Sequence, residues 1–491
     1  MRLLLVNPPI YDFTAYDFWL KPYGVLRVAG MLRGRAEMAL FDYLDRRHPA
    51  MQHAGMQPSG IPASDAQHAA RRRAPRADAW GRGEFASVEV PKPPALAGRI
   101  ARRFRRFGLP QSIFHRFLAA NPPFDFALVQ TGMTWWYPGV QEVIADLRSL
   151  APKTRIVLGG PYASICPEHA ASLGADLVVR GPDVEPLWRL LGVAPNPAQP
   201  PCWELYPRLE TGVLRLTDGC PFRCSYCSVP RVYPRFEPRP LDLALAELRL
   251  LQALGARNVA FYDDALLYQA DKILVPFLKQ VQGWQSKVQS PESKARSSES
   301  ESSTPAIPNP ETCALHSEPS SPRSSFIIHH SSFSFHTPNA LHARFITREL
   351  AGQMVRAGFK TFYLGFESGS TEWQRQTGGK VEGGDLERAA ANLVAAGADR
   401  RLITAYIIIG HPRGAAQQVE PSMRFVHGLG IRVMLSEFSP IPGTPDGDLC
   451  RDVVDLAEPL WHNKTAFTIA SLGTDEVNRL KALCRELNGQ A

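Results

Sequence analysis

Three cysteines, Cys220, Cys224 and Cys227, stand at C-x3-C-x2-C spacing within the run Leu216-Thr217-Asp218-Gly219-Cys220-Pro221-Phe222-Arg223-Cys224-Ser225-Tyr226-Cys227. Thiolates are the usual ligands of iron–sulfur clusters, and four saturate a cubane, so a loop that supplies three leaves one iron open to another molecule. The rival is a zinc site, which needs four ligands. The nearest spare thiol, Cys202, lies upstream of the loop without paired spacing, so the cluster is the preferred reading. The other cysteines, Cys166, Cys313, Cys450 and Cys484, are scattered singly. That pattern is no disulfide framework, and it favours a reducing, cytoplasmic compartment.

A loop of this kind has to be held at the end of a strand, and the chain around it alternates strand and helix patterns. Residues 1–195 offer strands at Leu3 to Val6, Met38 to Phe41, Phe126 to Gln130, Arg155 to Leu158 and Leu177 to Val179. Helices near Tyr23 to Arg33, Gly139 to Leu150, Glu168 to Leu173 and Glu185 to Leu191 fall between them. This predicts a Rossmann-like, doubly wound α/β domain whose ligands sit at the carboxyl ends of parallel strands. Gly159 and Gly160 follow one such end, where glycine lets a ligand approach the backbone. Residues 49–123 interrupt the pattern as an insertion or lid, with helical patches around Ile100 to Phe107 and Gln111 to Ala119. Within it Trp80-Gly81-Arg82-Gly83 reads either as part of a site or as a surface turn.

From 196 to 445 about six further βα units are expected, a partial (β/α)6 barrel with chemistry at the carboxyl strand ends. Its strands are predicted at Val213 to Thr217, Val259 to Tyr262, Ala343 to Ile346, Thr361 to Phe366, Ile403 to Ile409 and Val433 to Phe438. The cysteine loop follows the first. Residues 285–334, rich in Ser, Pro and Glu, predict a disordered insertion, in which His329-His330 is an unconvincing metal pair. Residues 446–491 read as a mostly polar tail with a last helix at Asp475 to Leu487.

Composition sets the outer bounds. The chain has 491 residues, 44% hydrophobic and 21% charged, enough for two or more globular domains. No apolar run is long enough to span a bilayer, so no membrane role is expected. The net charge of +8 concentrates around Arg71 to Arg73 and Arg99 to Arg106. It is not spread over a nucleic-acid-binding fold, and a nucleic-acid partner is not expected.

The cysteine spacing, with aromatic Tyr226 before the last thiol, resembles the cluster motif of the radical S-adenosylmethionine (radical SAM) superfamily. Asn7-Pro8-Pro9, Gly159-Gly160-Pro161-Tyr162-Ala163 and Val178-Val179-Arg180-Gly181 resemble the cobalamin-binding domain that precedes the barrel in one branch of it. The resemblance implies a 4Fe-4S cluster on Cys220, Cys224 and Cys227 whose open iron is chelated by SAM. It also implies reductive cleavage of SAM to a 5′-deoxyadenosyl radical, fed by an external donor such as flavodoxin or ferredoxin. The reaction could be a cobalamin-dependent methyl transfer to a small molecule.

The resemblance further implies that Asp263 and Asp264 face the methionine moiety of SAM, and that Glu367 and Ser368 lie near its ribose and amino group. Gly410, in the turn before His411 and Pro412, would flank the adenine with Tyr226, while Phe222 shields the cluster. Pro440 to Pro445 resembles the segment that closes the barrel. Each residue has a plainer reading, Asp264 as a helix cap and His411 as a turn residue. One departure stands out. The family's cobalt-ligating Asp-x-His-x-x-Gly appears here as Asp42-Tyr43-Leu44-Asp45-Arg46-Arg47, with no histidine, so no lower axial imidazole can come from that loop. The alternative function is an iron–sulfur electron carrier or accessory subunit without SAM cleavage.

Overall fold

The computed structural model describes residues 1–52, 77–288 and 333–490. The basic run Arg71 to Arg73, the pair His329-His330 and nearly all of the stretch expected to be disordered lie outside these residues. The ends of that stretch that are described belong to regular elements, a helix through Val288 and a strand from Ser334.

The N-terminal unit holds β1 (Arg2–Asn7), β2 (Ile10–Asp12), α1 (Tyr23–Met31) and β3 (Glu37–Asp42). Then come β4 (Ser87–Val90), β5 (Phe104–Phe107) and α2 (Gln111–Ala120). The unit continues with β6 (Phe126–Gln130), α3 (Tyr137–Leu150), β7 (Arg155–Gly159), α4 (Pro167–Ser172), β8 (Leu177–Val178) and α5 (Glu185–Leu191). The main sheet runs β8-β7-β6-β1-β3, all parallel. Leu3, Leu4, Leu5 and Val6 are all fully buried, as befits a central strand covered by helices on both faces. Chain order reverses between β1 and β6, the switch point where such sheets bind ligands.

The insertion is not the helical patch expected around Ile100 to Phe107. Phe104–Phe107 is a strand, β5, paired antiparallel with both β2 and β4. Ile100, Phe104 and Phe107 have helical spacing, but Arg106 is buried against Glu142, bonding it through two nitrogens at 2.8 and 2.6 Å. That buried bidentate pair fixes the strand where periodicity alone favoured a helix.

The second unit is a six-stranded open barrel. Its elements are β9 (Thr211–Leu214), α6 (Leu241–Ala253), β10 (Asn258–Phe261), α7 (Leu274–Val288), β11 (Ser334–His342) and α8 (Arg348–Ala357). They continue as β12 (Phe359–Glu367), α9 (Thr371–Thr377), α10 (Gly383–Ala395), β13 (Ile403–Ile409), α11 (Val419–Gly428) and β14 (Arg432–Glu437). The strands pair in sequence order, all parallel. The third strand is Ser334–His342, not Ala343 to Ile346, where Ala343–Phe345 is a single 3-10 turn. Pro338 and register shifts between Thr337 and Leu341 break its alternation, which hid it from pattern reading.

Two joints tie the units together. Trp19, fully buried at φ +60, stacks on His336 of β11 at 4.4 Å and donates from Nε1 to the Trp80 carbonyl at 2.7 Å. The tail is the second joint, and it is less polar than expected. Helices α12 (Lys464–Leu472) and α13 (Thr474–Gln490) share a core with Phe13, Leu96 and Phe104 through buried Phe467 and Val477, joined by Trp461 of the preceding 3-10 turn.

Candidate functional site

The cysteine loop leaves the carboxyl end of β9, and the next strand fixes its start. Asp263, just past β10, accepts hydrogen bonds from Leu216 N–H at 2.9 Å, Thr217 N–H at 2.6 Å and Thr217 Oγ1 at 2.7 Å, all on one oxygen. Its other oxygen is buried and, among the described residues, without a partner. Burial pushes the Asp263 carboxyl up to about 6, against the opposing pull of Arg215 and these donors. Asp264 caps no helix; it pairs with Arg215 at 3.1 Å. Gly219 then turns the chain at φ +72, where a Cβ would meet the Arg235 carbonyl at 2.2 Å.

Burial raises the Cys220 thiol to about 11 and the Cys227 thiol to about 12, and raises that of Cys224. Taken alone the loop therefore keeps its protons at neutral pH, and metal loading must displace them. Among the described residues no three His, Cys, Asp or Glu side chains converge on one ion. A cubane takes one thiolate per iron and asks for no such convergence. The three thiols also share one cation, Lys380, whose charge opposes the rise at Cys220 and Cys224. The donor set therefore fits a cluster.

Lys380 had no place in the sequence reading. Its Nζ lies 2.8 Å from Oε1 of Glu367, and the two side chains are 12% and 7% exposed. Burial opposes the charge on Lys380, but Glu367 and the nearby thiols outweigh it and raise the ammonium pKa. Glu367 ends β12 at φ +66, a left-handed conformation that costs a non-glycine residue about 1 kcal/mol or more. The signal available in the sequence was Gly378-Gly379 before Lys380. Both glycines have positive φ, and a Cβ on Gly378 would meet Cys224 Cα at 3.2 Å. The chain thus turns back over the cysteine loop.

The remaining expected residues divide. Tyr226 is partly buried and stacks on Trp373 with ring centroids 5.7 Å apart, so one face of the ring is already taken. Phe222 lies against His342 at 4.3 Å, in an aromatic group with Tyr268 and Phe345. Ser368 serves a local turn, accepting from Ser370 N–H at 3.2 Å. Gly410, at φ +75, packs on Thr468 of α12, whose Oγ1 would stand 2.8 Å from any Cβ. Tyr262 bonds the N-terminal unit, donating to the Trp19 carbonyl at 2.5 Å.

Gly159 and Gly160 open on a cavity of about 2440 Å³ between the two units. Its walls include Gly24, Gln130 and Gly160 at the switch point of the first sheet. They also include Asp218 and Ser228 on either side of the cysteine loop, and Asn339 and Tyr406 of the barrel. The Asp42 to Arg47 loop is not among them. Asp42 is buried, accepting from Asn7 Nδ2 at 2.7 Å and Tyr206 Oη at 2.5 Å, while Leu44 lies in a core with Ile10, Phe85 and Phe107. That loop is structural in this chain.

Residues 214–297 match the family model of the Radical SAM superfamily, so this stretch is a radical SAM domain. Ribosomal protein uS12 methylthiotransferase RimO of Geobacter sulfurreducens is 45% identical over 70 residues, 14% of this chain and 16% of the relative. An uncharacterized methyltransferase of Synechocystis is 26% identical over 156 residues, 28% of this chain and 29% of the relative. The chain thus spans well under a third of the curated relatives it matches. Among solved structures, TsrM of Kitasatospora setae, a radical S-adenosylmethionine methyltransferase with cobalamin and a [4Fe-4S] cluster bound, superposes with a TM-score of 0.61 at 15% identity. The match covers 98% of this chain and 90% of TsrM. OxsB, a cobalamin-dependent S-adenosylmethionine radical enzyme, superposes at 0.51 and 12% identity, over 99% of this chain and 61% of OxsB. The architecture, a Rossmann-like sheet followed by a partial barrel, is that of these neighbours.

Proposed function

We propose that this radical SAM chain is an enzyme that binds a 4Fe-4S cluster on Cys220, Cys224 and Cys227, S-adenosylmethionine beside it, and a corrinoid at the switch point of the first sheet. Its reaction is then a methyl transfer to a small molecule. The observation that carries the reading is the single cavity of about 2440 Å³ that reaches both the Gly159-Gly160 turn and the flanks of the cysteine loop. When bound, the cluster supplies the electron that cleaves the sulfonium, and the corrinoid supplies a methyl carrier.

The chain's own residues bind and orient. Glu367 and Lys380 present a carboxylate and an ammonium side by side, the complement of an amino acid's two ends, and satisfy each other when no ligand separates them. Asp263 stiffens the start of the loop. Tyr262 and the tail residues Lys464, Asn478 and Lys481 line the sides of the cavity and keep water from the reacting centre. With the Asp42 to Arg47 loop built into the core, the corrinoid binds without an imidazole from that position.

The relatives whose names state an activity are methyltransferases or methylthiotransferases, which supports methyl transfer. Small-molecule substrates agree with the tryptophan bound in TsrM. No helix among the described residues is long and apolar enough to cross a membrane. A reducing cytoplasm supplies a flavodoxin or ferredoxin as electron donor. Titrating the purified protein with hydroxocobalamin and following its visible spectrum tests the corrinoid assignment. Saturable one-to-one binding is expected, and no spectral change or retention would overturn it.

A further inference from the structure

The loop between Cys224 and Cys227 is pinned by a carboxylate that no part of the proposed function uses. Asp446, fully buried, lies beyond β14 in the turn after Gly443-Thr444. Its Oδ2 accepts from Ser225 Oγ at 2.5 Å and from His411 Nε2 at 3.0 Å, and its Oδ1 from Arg413 Nε at 2.6 Å. Its N–H donates to the Ser225 carbonyl at 3.1 Å, while the Ser225 N–H donates to the Thr377 carbonyl at 3.2 Å. Every polar group of Ser225 is thus engaged, two of them by one residue.

The contacts close into a ring. His411 Nδ1 accepts from Trp373 Nε1 at 3.1 Å, which leaves the ring proton on Nε2 facing Asp446. Trp373 stacks on Tyr226, the neighbour of Ser225, and His411 meets Tyr226 edge-on at 6.0 Å. The turn that carries Asp446 is itself stiff. Thr444 Oγ1 accepts from Gly447 N–H at 3.1 Å, and a Cβ on Gly447 would meet the Ile441 carbonyl at 2.0 Å. A buried carboxylate that receives three side-chain donors is a strong, directional anchor.

We propose that Asp446 is a positioning residue. It holds the backbone between the second and third cysteines and, through His411 and Trp373, the plane of Tyr226, so that the loop meets its cluster and SAM already shaped. This rests on the reading of the loop as a cluster and SAM site. Asparagine cannot replace the carboxylate, because its amide would bring N–H groups against donors.

The test compares wild type, Asp446→Asn, Ser225→Ala and the double variant, each reconstituted anaerobically. The readouts are iron content, the electron paramagnetic resonance line of the reduced cluster with and without SAM, and the KM for SAM. Asp446→Asn is expected to keep its iron, to broaden the line, and to raise KM tenfold or more with kcat within threefold. Ser225→Ala is expected to raise KM about threefold, and the double variant no further than Asp446→Asn, since Ser225 acts through Asp446. A wild-type KM and line in Asp446→Asn, or additive effects in the double variant, would overturn the proposal. Should Asp446→Asn not fold, Ser225→Ala decides, and an unchanged KM overturns it. Should wild type neither hold iron nor bind SAM, the function fails first. Alkylation of Cys224 by iodoacetamide in the metal-free chain then still tests the anchor, with Ser225→Ala expected to react at least threefold faster and an equal rate counting against it.

Discussion

Nζ of Lys380 lies 2.8 Å from Oε1 of Glu367, inside the barrel and beside the three thiols. Neither partner can be lost quietly, because the survivor is a buried, unpaired charge. Lys380→Met is expected to destabilise the chain by about 3–5 kcal/mol, and adding Glu367→Gln should restore part of it. Urea denaturation of the metal-free protein measures both. A double variant as unstable as the sum of the two single variants would show that the charges do not depend on each other.

Gly365 makes room for that pair. A Cβ there would stand 2.5 Å from Lys380 Nζ and 3.0 Å from Glu367 Oε1. Gly365→Ala is therefore expected to push the ammonium aside and weaken SAM binding at least tenfold, with a stability loss of about 1–3 kcal/mol. Equilibrium dialysis with labelled SAM reads the first effect, and unchanged binding would separate the pair from the ligand.

Buried histidines set an acid-side limit. Burial holds His336 down to about 3 and His462 down to about 4. Both stay neutral in the fold, whereas the unfolded chain takes up protons below about 6.5. Between pH 6.5 and 4 the unfolded state binds more protons, so stability falls as pH falls, by up to about 1.4 kcal/mol per pH unit for each histidine. Asp446 works lower. Burial favours its protonated form, but hydrogen bonds from His411, Arg413 and Ser225 outweigh that and hold it at about 2, so its contribution is lost only between about pH 4 and 2. Urea midpoints at pH 7.5 and 5.5 should differ accordingly, and equal midpoints would mean the histidines are not held neutral.

The cavity offers a variant that spares the fold. At Gly159 a Cβ would meet only Val179, at 3.9 Å, so Gly159→Leu fits the backbone yet intrudes on the space at the switch point. Corrinoid binding is expected to weaken tenfold or more, while cluster content and melting temperature stay near wild type. Unimpaired corrinoid binding would place that ligand elsewhere.

What the sequence disclosed was whatever is local. The cysteine spacing, the apolar runs of β1 and β6, and the glycine turn after β7 each carry their meaning within a few residues. The third barrel strand did not, because Pro338 and the register shifts of β11 erase its alternation next to a serine-rich run. Lys380, Trp373 and Asp446 were invisible for a different reason. Each acts only where tertiary folding returns it to the cysteine loop, and Asp446 is separated from Ser225 by 221 positions. Asp263 was noticed as a site residue, but its carboxylate is aimed at the loop's own backbone, a distinction that spacing cannot draw.

Everything proposed for this chain depends on Cys220, Cys224 and Cys227 holding a cluster with one iron open to S-adenosylmethionine. The most direct measurement is 5′-deoxyadenosine formation by the anaerobically reconstituted, chemically reduced protein supplied with S-adenosylmethionine. It is expected to form in wild type and not in Cys224→Ala. No cleavage by a wild-type protein that carries a full, reducible cluster would contradict it.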